Sequence, residues 1–469
     1  TERDGGKLKL VELSLNQLCE KMEGKFLQGS PSLSFHRYNI DSRLTEQGEL
    51  FFALIGSRNG HDFVSCAAKK GAAGAVVSQE IHPPCKDFAL IQVEDTLKAL
   101  QKLAKKVLSE HKVKVAGITG SIGKTSTKEF AYSLLSLSHK VLKSSGNYNN
   151  HIGLPLSILK LSEEHNIAVL EMGMSSPGEI ADLTRIAPPD VAVVTNIQPV
   201  HLEFFKSIEK IALAKKEILY GMKTEGTAVL NGDDIFIKKI ALNWKGGKIF
   251  FGLSKNCDIR ARNIKKNGLN GMSFELIYGK RNSEITVPFF YESALYNFLA
   301  AAAVAYTFSV PIEAILTQVK TLNPFPMRGV LFRLKTNINL IDDSYNSNPA
   351  ALESALKSMA VIPAKRKIAV LGDMLELGPD KIEYHIQAGR QVLKYKFDLL
   401  ITVGPLSRHM AEGALSSGMN HNKIHSFDNS EEASEEIENL LHEGDLVLVK
   451  GSRGMKTEKI VNKLKRKGY

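Results

Sequence analysis

VAGITGSIGKTSTKEF, residues 115–130, joins a short apolar run to a glycine-rich turn and then to a helical pattern. A phosphate-binding loop has that context, yet the usual glycine spacing is absent. Counting five residues back from Gly123 lands on Ile118, and Gly117 and Gly120 fall on either side of it. The chemical requirements are nonetheless met. Such a loop needs small residues whose N–H groups converge on oxygens, a lysine for the β and γ phosphates, and a hydroxyl for Mg2+. Gly120, Ser121, Ile122 and Gly123 supply the backbone, Lys124 the cation, and Thr125 the metal-holding hydroxyl, with Ser126 next. The competing reading is a glycine-rich turn with an exposed lysine. The strand–loop–helix context favours the phosphate site.

Working outward, more short apolar runs follow: IAVLE (167–171), VAVVTNI (191–197) and TAVLN (227–231), separated by helical stretches. Runs buried on both faces and spaced by helices predict a parallel sheet. After TLNPFPMRG (321–329) a further alternation begins, with INLIDD, KIAVLGD, LLITVG and DLVLVKG as strands. It predicts a second doubly wound, Rossmann-like sheet, without a G-x-G-x-x-G turn for a dinucleotide. Upstream, ELFFALIG, GAVVS and FALIQV predict another α/β module, closed by a helix over about 97–109. At 469 residues, about three domains are expected. The boundaries read as 1–108, 109–322 and 323–469.

Composition narrows the partners. A net charge of +11 and a pI near 9.2 fit nucleic acid, a membrane surface or phosphate-bearing small substrates. The lysines are dispersed and no basic stripe with interleaved aromatics appears, so nucleic-acid binding is not expected. The basic tail KTEKIVNKLKRKGY reads as the cationic last turns of a helix. The longest uncharged run, Ser293 to Ile312, is alanine-rich and predicts a buried helix rather than a membrane span. The four cysteines lack paired or metal-type spacing, which points to a reducing compartment. TERDGGKLKL has no apolar core, so no signal peptide is expected and the location reads as cytoplasmic.

Several further residues admit two readings. Glu171 ends the strand IAVLE, from which an acid can reach Mg2+ beside the phosphates, but it could equally cap a helix or face solvent. His201 is a metal candidate or a structural histidine. Lys215, in KIALAKKEIL, reads on its own as a surface lysine. Arg328 is either a linker arginine in a proline-rich turn or a contact to phosphate made on domain closure. Asp342 and Asp343 are unremarkable as strand-end acids, Asn346 and Asn348 as turn residues, and His385 reads as a helix residue of open role.

The loop TGSIGKTS resembles the nucleotide loop of the Mur ligases, ATP-dependent amide-forming enzymes of cell-wall precursor synthesis, shifted glycines included. The resemblance extends to DSRLTEQGELFFALIGSRNGHDF (41–63), GNYNNHIGLPL (146–156), EMGMSSPGEI (171–180), HLEFFKSIEKIALAKKEI (201–218), IDDSYNSNPA (341–350), LGDMLELG (371–378) and LVKGSRGMKTEKIV (448–461). It thus touches all three blocks. It implies a three-domain ligase, acting as a monomer on UDP-N-acetylmuramoyl-tripeptide and D-alanyl-D-alanine, with ATP as co-substrate. A sister ligase that adds a single amino acid, or a folate polyglutamylating relative, is the runner-up. A non-catalytic nucleotide switch is the reading from another class.

By position, the resemblance puts Ser42 and Arg43 on the UDP-sugar and Gly120 to Ser126 on ATP. Asn297, Arg328 and Asp343 fall on the nucleotide, and Asn149 and Asn150 on the substrate side. It implies two Mg2+ ions, one held by Thr125 and the other by Glu171 and His201, with Lys215 as a carbamate ligand. Lys124, Glu171, His201, Lys215 and Arg328 form the implied catalytic set. Two segments depart from the family pattern. YESALYN (291–297) stands where Gly-x-His-Asn usually precedes the asparagine, and Asn59 stands where aspartate is common.

Overall fold

Three main sheets follow one another along the chain in the structure, a computed structural model describing residues 9–30, 32–199, 205–242, 244–335 and 337–466. The first has five strands in the spatial order 25–28, 89–92, 74–77, 50–52, 38–39. Its edge strand 25–28 is antiparallel and the other pairings are parallel. The helix Thr96–Glu110 follows, capped by Asp95, whose Oδ1 accepts from the Leu97 and Lys98 N–H groups. Ala99, Leu100, Leu103, Ala104, Val107 and Leu108 recur at helical spacing and are all buried. They join one apolar core that holds Phe52, Val76 and Ile91 of the first sheet and Val115, Leu170 and Val194 of the second. The expected boundary at 108/109 therefore falls inside a helix that packs on both blocks.

The second sheet has nine strands, and the strand Lys114–Thr119 lies inside it between Ile167–Glu171 and Val191–Val194, both parallel to it. These three strands are buried almost throughout, as the continuous apolar runs require. The chain passes from Lys114–Thr119 to one side for Val141–Lys143 and Ile167–Glu171, then crosses to the other for Val191–Val194. That reversal opens a crevice at the carboxyl end of Lys114–Thr119, the usual ligand position in an open α/β sheet. The expected parallel sheet is present in the six strand pairings that run from Val141–Lys143 across to Ile259–Lys266. Ile259–Lys266, Met272–Tyr278 and Arg281–Val287 form an antiparallel extension at one edge.

Most of the run Ser293 to Ile312 lies in the buried helix Glu292–Thr307. Its Leu295, Phe298 and Leu299 share a core with Phe130, Leu134 and Leu135 of the helix after the glycine-rich turn. Among the described residues no helix is long and apolar enough to cross a membrane, and all four cysteines are free. The third sheet has six strands in the order 330–333, 339–343, 445–450, 366–372, 399–403, 424–427. It is parallel except for the edge pair 330–333 and 339–343. Separate apolar clusters cover its two faces, and the basic tail forms the helix Glu458–Arg466 on one of them.

Candidate active site

The turn after Lys114–Thr119 is bent by Gly120, at φ +151°, and Gly123, at φ +86°, and the helix Lys124–Leu135 starts immediately afterwards. Both glycines are also required by space. A Cβ on Gly120 would collide with the Thr195 hydroxyl, and one on Gly123 with the Asn297 amide. The next strand end clasps the loop. Ile122 N–H donates to Asn196 Oδ1 at 2.9 Å, Ser121 N–H to the Asn196 carbonyl at 3.0 Å, and Thr195 Oγ1 to the Ile122 carbonyl at 2.7 Å. Lys124 folds back so that Nζ donates to the Gly120 carbonyl at 2.8 Å. An open cradle at a helix N-terminus, rimmed by a lysine, is a site for phosphate oxygens. Gly123→Ala adds the Cβ clash to a left-handed strain of about 1–2 kcal/mol, so ATP affinity should fall at least about tenfold. Titration calorimetry reads this directly, and a wild-type Kd would contradict the cradle.

Glu171 ends its strand opposite Ile118, one strand over from the loop. It is only 2% exposed. Thr125 Oγ1 donates to its Oε2 at 3.0 Å and Asn149 Nδ2 to its Oε1 at 2.9 Å. Its backbone N–H donates to Ser144 Oγ at 3.1 Å. The alternatives of a helix cap or a solvent-facing glutamate do not apply. The Thr125–Glu171 pair sets two hard oxygen donors beside the phosphate cradle, the donor type that magnesium takes.

Lys124 and Arg328 lie within reach of this carboxylate's field, and Lys215 lies beside Lys124. Lys215 is 2% exposed in the helix Ile208–Tyr220, and its amine has no hydrogen bond or ion pair among the described residues. Burial and then the neighbouring Lys124 charge push its pKa well below the ordinary lysine value. Burial likewise lowers Lys124, opposed by the nearby Glu171. Arg328 lies with its guanidinium 4.0 Å over the Tyr345 ring, within reach of the fields of Asp343 and Glu171, and its buried Nε has no hydrogen-bond partner among the described residues. Asp343 itself accepts from Lys450 Nζ at 2.6 Å. The described site thus carries an excess of positive charge, which suits a polyanion.

Of the other residues singled out, Asn297 lies against the loop at Gly123 and accepts from Thr127 Oγ1 at 3.4 Å. Asn150 Oδ1 accepts from the Ile152 and Gly153 N–H groups at the start of the helix Gly153–Ile158. Ser42 is buried, and Arg43 forms a two-pronged pair with Asp41 that holds this carboxyl down at about 2. Ser126 sits in the first turn of the phosphate-loop helix. His201 lies outside the described residues. His385 is fully buried, with Nε2 accepting from Met374 N–H at 3.0 Å, a structural role for its helix. Asn59 caps the short helix Gly60–Phe63, and Tyr296 of the departing segment donates to Asp233 at 2.9 Å. The sequence reading missed the Thr195–Asn196 clasp, Ser144 and Lys450. The polar Thr195–Asn196 pair directly after an apolar strand was a usable signal for the first.

The fold and this cradle define an α/β protein built to bind nucleotide phosphates, and the comparisons give its family. The Mur ligase middle domain matches residues 118–305, and the Mur ligase glutamate ligase domain matches residues 327–453. The chain belongs to the Mur ligase family. It is 36% identical to the UDP-N-acetylmuramoyl-tripeptide–D-alanyl-D-alanine ligase of Bacillus subtilis, over 97% of this chain and 99% of the relative. The crystal structure of MurF from Acinetobacter baumannii superposes with a TM-score of 0.88 at 29% identity, covering 98% of this chain and all of the other. MurF from Thermotoga maritima, solved with ADP, gives 0.80 at 29% identity over 92% and 98% of the two chains.

Proposed function

We propose that this chain joins D-alanyl-D-alanine to UDP-N-acetylmuramoyl-tripeptide at the expense of ATP, making the pentapeptide precursor of peptidoglycan. The observation that carries the reading is the end-to-end likeness to a ligase of that specificity, 36% identical over 97% of the chain. The geometry supports the chemistry. Residues 1–108 act as the UDP-sugar domain, with Ser42 and Arg43 as contacts, 109–322 as the ATP domain, and 323–469 as the closing ligase domain. Nucleotide substrates of this kind are cytoplasmic metabolites, which supports a cytoplasmic reaction.

The substrate carboxylate attacks the γ-phosphorus, ADP leaves, and an acyl phosphate forms. The dipeptide amine then attacks the acyl carbon, loses a proton, and expels phosphate from a tetrahedral intermediate. The first step brings two anions together, opposed by roughly 4 kcal/mol per charge pair at 4 Å and an effective dielectric near 20. Lys124 and Arg328 offset that repulsion, with the first N–H groups of the helix Lys124–Leu135, which lack intrahelical acceptors, on the phosphate side. Asn297 and Asp343 take the nucleotide side, and Asn149 and Asn150 the tripeptide side.

Thr125 and Glu171 offer hard oxygen donors that would hold Mg2+, two ions with one at each, and the ions would neutralise phosphate charge there; His201, the further ligand proposed beside Glu171, lies outside the described residues. A cationic Lys215 would repel these ions. Its buried amine, without a hydrogen bond or ion pair among the described residues, instead suits capture of CO2, which gives an anionic carbamate oxygen ligand and releases a proton. The test is a phosphate-release panel with ATP, the UDP-tripeptide and either D-alanyl-D-alanine or single amino acids. Release is expected with the dipeptide. Release that needs a single amino acid and ignores the dipeptide would overturn the assignment.

A further inference from the structure

Lys128 takes no part in the chemistry just described, yet its side chain is 0% exposed, in the helix that begins with Lys124 and Thr125. Burying a lysine is unfavourable unless each donor is met. Nζ donates to the Ser144 carbonyl at 2.9 Å and to the Gly146 carbonyl at 2.6 Å, and Glu129 Oε1 lies 3.2 Å away. Those carbonyls open the segment 144–150, which runs on to the catalytic carboxylate. Ser144 Oγ accepts from Glu171 N–H, Asn149 Nδ2 donates to Glu171 Oε1, and Gly173 N–H donates to the Asn149 carbonyl at 2.8 Å. Glu171 is therefore gripped by two oxygens' worth of contacts: Thr125 from the helix and Asn149 from the segment. Lys128 binds helix and segment together one turn beyond Thr125.

We infer that Lys128 is a positioning residue for the ligation: its amine ties segment 144–150 to the phosphate-loop helix and so fixes the aim of Glu171. The role rests on the ligase reading for its kinetic consequence, but its structural half stands alone. Removing the amine leaves two carbonyls without a donor, and the segment drifts from Glu171.

The experiment compares full-length wild type with Lys128→Met and Lys128→Gln, by amide hydrogen exchange and by steady-state ligation. In Lys128→Met, exchange at Tyr148 and Gly173 should quicken about tenfold, while the strand Val191–Val194 stays protected. Loss of such an outer contact should lower kcat about 10–100-fold and raise the Mg2+ needed for half-maximal rate about fivefold, with KM for ATP near wild type. Wild-type exchange and Mg2+ demand would overturn the inference. So would a uniform rise in exchange that includes Val191–Val194, or an equal loss in the ATP and Mg2+ parameters, since both mark a merely structural lysine. If Lys128→Met does not fold, Lys128→Gln, with two donors set closer to the backbone, must show the same pattern at smaller size, and wild-type values there overturn it. Should wild type itself join no substrates, the ligase reading fails, while the exchange arm still judges the tie.

Discussion

Lys124→Ala should cut ligation about a thousandfold, equivalent to ~4 kcal/mol of transition-state stabilisation, because it removes the cation nearest the phosphate cradle. The size follows from where the charge sits. Lys124 Nζ rests on the Gly120 carbonyl at 2.8 Å, at the rim of a loop whose N–H groups and helix N-terminus already favour anions. Charge develops on the transferring phosphoryl oxygens, and neutral N–H dipoles alone do not match it. The same change relieves the like-charge pressure on Lys215, so the folded protein should persist with an unchanged or slightly raised thermal midpoint. Single-turnover product formation reads the loss. Product formed at the wild-type rate would remove the loop from the mechanism.

Lys215→Ala should be nearly as damaging, with a loss of about 10^2–10^3 in kcat, the range typical of removing one charge-stabilising group. Its distinguishing outcome is rescue. A short carboxylic acid such as formate or acetate should enter the space left by the shortened side chain and supply an anionic oxygen in place of the proposed carbamate. Rates of the variant should climb with added acid, whereas wild type should not respond. The neighbour Lys216 makes the control, since it is half-buried and stacks 5.0 Å over Tyr220 away from the site. Lys216→Ala should retain activity. Wild-type activity in Lys215→Ala would dismiss the carbamate.

The cradle was legible in the sequence because its code is local. Glycines with positive φ, a lysine and a threonine fall within six residues, between an apolar strand and a helix. Glu171 was legible as a strand-end acid because parallel strands deliver their carboxyl ends to one crevice. Lys215 shows where a signal was present but overlooked. Ile211, Ala214, Lys215 and Ile218 fall at helical spacing on the buried stripe, so the lysine's burial follows from periodicity, while Lys216 falls off it. The antiparallel extension was likewise written in MSFELIY (272–278), whose residues alternate toward and away from the core at its start. The reading of a parallel sheet passed over it because the flanking runs were dominated by buried apolar strands. What no local pattern carries is pairing across the chain. Asp343 meets Lys450 from 107 residues away, and Arg328 meets the Tyr345 ring across a turn that Met327 bends at φ +64°. Those contacts arise only when the third sheet closes.

The most direct measurement supplies the UDP-tripeptide with 18O in its terminal carboxylate, together with ATP, Mg2+ and D-alanyl-D-alanine, and analyses the products by mass spectrometry. Activation through an acyl phosphate predicts one 18O atom in each released phosphate, with ADP as the co-product. Ligated product accompanied by unlabelled phosphate, or by AMP, would contradict the route on which this site's charges are arranged.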